Sequence, residues 1–237
     1  MPLVIRKDST IIVWGKKLIH SATVIFLHGL GDSAEGLVDI AESLTLHVPH
    51  VKFILLTADE IPVTLNGNAK MNSWYDITGL TFEDNANAKG IEKSVALVKK
   101  TLEEEHASGI PYSRIALMGF SQGGALSLFT GLQLPLAQKL GGILVLSGYL
   151  PGTKTFKLTK GFENLPVLHC HGDADPVVDK AMAVKTKDYL VSQVKVAWIC
   201  GYLRHLFFRA WSAISSLFSK EWIIRSLLRF LMQPSIS

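Results

Sequence analysis

The segment Gly119-Phe120-Ser121-Gln122-Gly123-Gly124 constrains this chain more than any other stretch. The apolar run 115–118 leads into it, and the apolar run 125–129 follows. That order reads as strand, abrupt turn, helix. Glycine tolerates backbone conformations and close approaches that a Cβ forbids, so the glycines flanking Ser121 permit a tight, strained reversal. Such a turn lifts the serine hydroxyl to the top of a sheet. It also starts a helix beneath the hydroxyl, with free N–H groups and a positive dipole end near any anion formed there. Ser121 is therefore the candidate nucleophile, and the competing reading is an ordinary helix-capping serine. A serine hydroxyl is weak at neutral pH and needs a base to take its proton.

The rest of the chain supplies the layers such a turn requires. Five short apolar runs, at 23–27, 52–56, 114–118, 142–146 and 167–170, read as parallel strands covered on both faces. Helical patterns lie between them. The clearest spans 89–107, with Ile91, Val95, Val98 and Leu102 on one face. Another follows Ser121, and a third covers 179–194. The alternation predicts an α/β fold, a doubly wound, mostly parallel sheet with helices on both faces. The stretch 3–14 reads as a hairpin at the sheet edge.

Composition divides the chain. Lys and Arg number 24 and Asp and Glu 20, and residues 197–237 hold five of the former against one of the latter. The remaining 19 and 19 balance, so the whole excess of +4 sits in the tail, with Trp198, Trp211 and Trp222. This predicts a domain over 1–196 and a basic, aromatic tail over 197–237. The neutral main body argues against nucleic acid as a partner, and no Gly-rich phosphate loop or Cys–His metal cluster is present. Two cysteines, Cys170 and Cys200, make no disulfide framework and fit a reducing compartment. The N-terminus lacks the pattern of a signal peptide, and no uncharged run approaches the roughly 20 residues of a membrane span. A cytoplasmic protein is the expectation.

Two further loops bear on the chemistry. His28-Gly29-Leu30-Gly31-Asp32 follows the first parallel strand. In α/β-hydrolases a glycine-containing loop in this position supplies one oxyanion N–H, and the residue after the nucleophile supplies the other. Those donors would be the amides of Leu30 and Gln122, and the His28 side chain reads as shaping the loop. His171-Gly172-Asp173-Ala174-Asp175-Pro176-Val177-Val178 follows the last clear strand. The order serine, acid, histidine belongs to this fold. Asp175 is the chosen acid, and Asp173 is the alternative, read instead as tying the turn.

Together with Asn72-Ser73-Trp74-Tyr75-Asp76-Ile77, these blocks resemble the acyl-protein thioesterase family, also called lysophospholipase or carboxylesterase type 2, over about residues 20–196. The resemblance implies an α/β-hydrolase that cleaves palmitoyl thioesters on S-acylated proteins, lysophospholipids and small esters. It implies no cofactor and no metal, and a cytosolic protein that makes transient contact with membrane surfaces. Carried over, Ser121 matches the nucleophile, Asp175 the acid, and Leu30 and Gln122 the oxyanion donors. Trp74 matches an aromatic residue near the acyl-binding region.

The resemblance stops at the end of the chain. The family closes with a strand, a glycine-containing turn, the catalytic histidine with a small polar residue after it, and a helix. Here Ala197-Trp198-Ile199-Cys200-Gly201-Tyr202-Leu203-Arg204-His205-Leu206-Phe207-Phe208 stands in that place, so the last strand and helix are expected to be replaced. His205 is the sole histidine after Asp175 and lies 30 residues beyond it, close to the family interval. It is the candidate base, and the competing reading is an incidental residue of the tail. Basic residues of the tail spread around a helix instead of lining one face, which speaks against a designed interfacial helix. Three readings follow: an active thioesterase-type serine hydrolase, an impaired relative that keeps an acyl pocket, and a protein anchored at membranes by its tail.

Overall fold

The computed structural model describes residues 2–15, 20–172, 174–191 and 194 in full and residues 196–201 by their backbone. A hairpin of β1 (Leu3–Lys7) and β2 (Thr10–Trp14) opens the chain. The parallel strands are β3 (Ala22–Leu27), β4 (Val51–Leu56), β7 (Ile115–Phe120), β8 (Gly142–Leu146), β9 (Val167–Gly172) and β10 (Val196–Gly201). They join the hairpin in one sheet ordered β1-β2-β4-β3-β7-β8-β9-β10, with β2 antiparallel to β4. A separate antiparallel ribbon pairs β5 (Glu60–Val63) with β6 (Ala69–Asn72).

All five expected apolar runs are strands, and the expected hairpin forms the sheet edge. β3 and β4 are buried at every residue, as continuous apolar sequence requires when both faces are covered. Successive side chains of β3 point to opposite faces. Ile25 and Leu27 join Leu102 of α2 (Ile91–Ala107) and Leu126 of α3 (Gln122–Gly131) in one apolar cluster. Val24 and Phe26 join Val38 and Ala41 of α1 (Val38–Thr45) in the other. Met182 and Leu190 of α4 (Lys180–Val191) pack in the same cluster as α2 and α3. The doubly wound α/β-hydrolase architecture is therefore present.

Some details fall outside the sequence pattern. Neither α1 nor the β5–β6 ribbon stands out in it, because both are short and half-exposed. The boundary set by charge at 196 falls on the first residue of β10, where Val196–Gly201 pairs in parallel with Val167–Gly172. The run Val196-Ala197-Trp198-Ile199-Cys200 has the β-branched and aromatic character of a strand, which a charge count does not weigh. His205 and the rest of 202–237 lie outside the described residues, as does Asp173.

One buried ion pair ties α2 to the sheet. Lys52 Nζ lies 2.6 Å from Glu105 Oε1, and the Thr23 hydroxyl donates to Glu105 Oε2 at 2.6 Å. Both partners are nearly enclosed, so losing one strands the other. Glu105→Ala is expected to cost about 3–5 kcal/mol in urea unfolding, with the paired change Lys52→Met, Glu105→Leu recovering most of it. In β9, His169 donates from Nε2 to the Gly148 carbonyl at 3.0 Å, and burial chiefly pulls its pKa down to about 3. The unfolded chain, with a histidine pKa near 6.5, binds that proton first. Stability should therefore be complete above pH of about 6.5 and decline as pH falls toward about 3, by up to about 1.4 kcal/mol per pH unit. His169→Gln should flatten the chemical-denaturation midpoint against pH in that window.

Candidate active site

Ser121 sits at the junction of β7 and α3 with φ 50° and ψ −117°, a conformation few L-residues adopt. Its amide donates to the Leu146 carbonyl at 2.8 Å, and its own carbonyl accepts from Ala125 at 3.0 Å. The neighbouring glycines make that backbone possible. A Cβ on Gly119 would overlap the Gly123 backbone, and one on Gly123 would overlap the carbonyls of Leu27 and His28. The turn is thus closed on itself and pressed against the end of β3. Ser121 is the residue held at the apex, in the strained geometry expected of a presented nucleophile.

The loop after β3 meets this apex. A Cβ placed on Gly29 would lie 3.5 Å from Ser121 Cβ and 3.1 Å from Phe120 Cδ1. His28 is fully buried and holds the loop's shape. Its Nε2 accepts from the Ala58 amide at 3.0 Å, so Nδ1 carries the hydrogen and donates to the Gly29 carbonyl at 2.6 Å. Burial keeps its pKa below the ordinary histidine value. With both ring nitrogens engaged, neutral His28 has no free nitrogen with which to take the Ser121 proton. Leu30, next in the loop, lines the cavity beside Ser121.

Gln122 opens α3, so its N–H belongs to the first turn, where intrahelical acceptors are lacking. Its side chain is buried and reaches the Ser73–Tyr75 segment. Trp74 is buried too, 1% exposed. Its indole donates to the His28 carbonyl at 2.8 Å, and its ring lies 4.8 Å from that of His28. Trp74 therefore braces the loop from behind; the cavity wall is formed by other residues.

That cavity has a volume of about 440 Å³, within the roughly 300–1,000 Å³ of small-molecule pockets. Ser121 and Leu30 border it. Leu65, Ile77 and Leu80 come from the ribbon and the segment after it, and Val177, Val178 and Met182 from the other side. Asn66, Asn85 and Tyr149 supply polar spots. Tyr149 accepts from the Tyr75 hydroxyl at 2.8 Å and donates to Asn85 Oδ1 at 3.3 Å. Burial raises its pKa to about 12, so it stays a phenol. Sequence spacing did not single out Leu65, Leu80, Asn85, Tyr149 or Met182 as walls, because they come from segments far apart in the chain.

Asp175 lies in the turn that carries Val177 and Val178 to the cavity. Its Oδ1 accepts from both their amides at 3.0 Å. The turn is tied to β9 by His171, buried, whose Nε2 donates to the Val178 carbonyl at 2.8 Å and lies 3.8 Å from Asp175 Oδ2. Ser121, Leu30 and the Asp175 turn, through Val177 and Val178, thus converge on one cavity. Among the described residues no group of His, Cys, Asp and Glu could hold a metal ion, and no helix is long and apolar enough to cross a membrane.

Two substitutions test the apex. Ser121→Gly relieves a positive φ and is expected to raise stability by about 1 kcal/mol while abolishing any serine-dependent activity. Gly123→Ala should do the opposite to stability, lowering the thermal midpoint sharply, because the new methyl meets rigid backbone oxygens. Calorimetry on both variants separates these outcomes.

The fold and sequence are similar to those of known proteins. Residues 9–200 match the phospholipase/carboxylesterase family model. Acyl-protein thioesterase 1 of Cryptococcus neoformans is 40% identical over 191 residues, covering 78% of this chain and 77% of that protein. Acyl-protein thioesterase 1 of Yarrowia lipolytica is 42% identical over 189 residues, covering 76% and 80%. Among solved structures, Arabidopsis thaliana SOBER1 superposes with a TM-score of 0.76 at 26% identity, covering 87% of this chain and 99% of that one. Zea mays acyl-protein thioesterase 2 gives a TM-score of 0.71 at 26% identity, covering 92% and 98%. This chain belongs to the phospholipase/carboxylesterase family of α/β-hydrolases.

Proposed function

We propose that this chain is a serine hydrolase that cleaves acyl thioesters of S-acylated proteins, and carboxylic or lysophospholipid esters, through an acyl-enzyme on Ser121. One observation carries the reading: a serine strained at φ 50° beside an apolar cavity of about 440 Å³, with the Gly29–Leu30 loop packed against it. The thioesterase names of the two fungal relatives support the substrate class. The free, buried thiol of Cys170, its pKa raised to about 12 by burial, suits a reducing compartment such as the cytoplasm.

In this mechanism Ser121 Oγ attacks the acyl carbonyl carbon while its proton passes to an imidazole. The carbonyl oxygen becomes an anion held by the amides of Leu30 and Gln122, each worth about 3 kcal/mol of barrier. Asp175 orients the imidazole and stabilises its cationic form. The protonated imidazole gives its proton to the departing thiolate or alkoxide. Water, deprotonated by the same imidazole, then attacks the acyl-enzyme and releases the acid. The chemistry moves only a proton and an acyl group and needs no cofactor. His205 is assigned as the base because it alone follows Asp175 in the order this fold uses. The apolar neighbours Leu206, Phe207 and Phe208, in place of the family's small polar residue, favour a second reading: an acyl-binding relative without a working base, whose basic aromatic tail contacts membranes.

A fluorophosphonate probe decides between them, since its phosphorus captures only an activated serine. Labelling is expected in the full chain and should vanish in Ser121→Ala and in His205→Ala. Asp175→Asn should slow it by about 10⁴-fold, as loss of a triad acid does elsewhere. A folded chain that stays unlabelled would establish the impaired reading. With an active chain, kcat/KM for p-nitrophenyl esters should rise about fourfold per added methylene until the cavity is full, from about 0.8 kcal/mol per buried CH₂.

A further inference from the structure

The Gln122 side chain is bonded in a way that the proposed mechanism, which uses only its backbone N–H, leaves unexplained. The chain enters α3 at Gln122, and the carboxamide turns away from the cavity into the protein, where the residue is 1% exposed. Its Oε1 accepts from the Trp74 amide at 3.0 Å. Its Nε2 donates to the Tyr75 carbonyl at 2.8 Å and to Ser73 Oγ at 2.9 Å. The orientation follows from chemistry: an amide N–H can only donate and a carbonyl can only accept, so Oε1 must face Trp74 and Nε2 must face Tyr75. The Ser73 hydroxyl passes its own hydrogen on to the Tyr75 carbonyl at 2.7 Å.

The segment so gripped holds the other oxyanion loop. Trp74 Nε1 donates to the His28 carbonyl at 2.8 Å. The Gly31 amide donates to the Asn72 carbonyl at 2.9 Å, and Asn72 Nδ2 donates to the Asp32 carbonyl at 2.8 Å. Leu30 lies between these anchors. Buried hydrogen bonds thus lead from the Gln122 side chain, through Trp74, to the His28 carbonyl before Leu30, while the adjoining Asn72 holds the exposed Gly31 and Asp32 after it. Buried polar groups that are fully satisfied hold their geometry, because any departure leaves a desolvated group unpaired.

We infer that the Gln122 carboxamide is a positioning residue that locks the two halves of the oxyanion hole together: its own N–H on α3 and the Leu30 N–H on the loop after β3. This inference rests on the proposed hydrolase reading for its catalytic consequence, and its structural part can be tested apart from activity. An oxyanion hole works only when both donors are fixed at hydrogen-bond distance from one developing oxygen. The two donors here come from segments 92 residues apart in sequence; the β3–β7 pairing and the Gly123 contact bring those segments together, and the carboxamide adds the side-chain tie that fixes the loop against α3.

The test compares full-length wild type with Gln122→Met, which keeps the length and apolar bulk but removes all three bonds. Thr23→Val serves as the control, deleting a buried hydrogen bond at the opposite end of β3. Amide hydrogen exchange should accelerate at residues 28–32 in Gln122→Met by at least tenfold and stay unchanged there in Thr23→Val. In an active chain, kcat should fall about 10–100-fold, less than the roughly 10²–10³-fold for deleting a donor outright, with KM changed less than about threefold. Unchanged exchange at 28–32, or an equal change in Thr23→Val, overturns the inference. So does a folded Gln122→Met chain with the kcat of an active wild type. A wild type that reacts with no probe, yet shows the exchange coupling, refutes the hydrolase reading and leaves the positioning role standing.

Discussion

The first turn of α3 lies against the carbonyl oxygens that end β3, with no room for a methyl group at Gly123. Most of the site depends on that contact. It sets how far Ser121 is raised above the sheet and brings the loop after β3 to the same apex. It also lets α3 run wholly buried behind the strands, where all ten of its residues are enclosed. A helix so enclosed cannot shift to accommodate a bulkier turn, because close-packed interiors do not deform locally. The strain at Ser121 persists because these surroundings over-determine it.

A second constraint is polar. His28, Trp74 and Gln122 are all buried, and the side chain of each is hydrogen-bonded to loop backbone. The loops therefore keep one conformation without strand or helix pairing of their own. The same logic holds at Asp175, where two amides and the neighbouring His171 fix the turn. Rigid loops on a rigid sheet are what a site needs if its donors are to be in place before charge develops.

How much of this could be read in advance varied with the kind of signal. The five core strands are legible because each is a short apolar run with turn residues on both sides, and α2 because its apolar residues recur at helical spacing. Ser121 is legible because the glycines around it serve one purpose. The β5–β6 ribbon escapes notice, since Glu60-Ile61-Pro62-Val63 and Ala69-Lys70-Met71-Asn72 carry no strong alternation and no long apolar run. Strand β10 is obscured by a charge contrast that begins at the same place. Trp74, matched on resemblance to an aromatic residue near the acyl-binding region, holds the His28 carbonyl, a contact that no linear pattern encodes.

Sequence alone determined the layered α/β class, the strained turn at Ser121 and the candidate acid loop, because each depends on local patterning: apolar periodicity, glycine placement and the order of motifs. Tertiary structure decided which distant segments wall the cavity, which tautomer His28 holds and where the Gln122 carboxamide points. Those outcomes depend on groups tens of residues apart meeting at hydrogen-bond distance, and such meetings are set by how the sheet and helices pack, not by the spacing of residues along the chain.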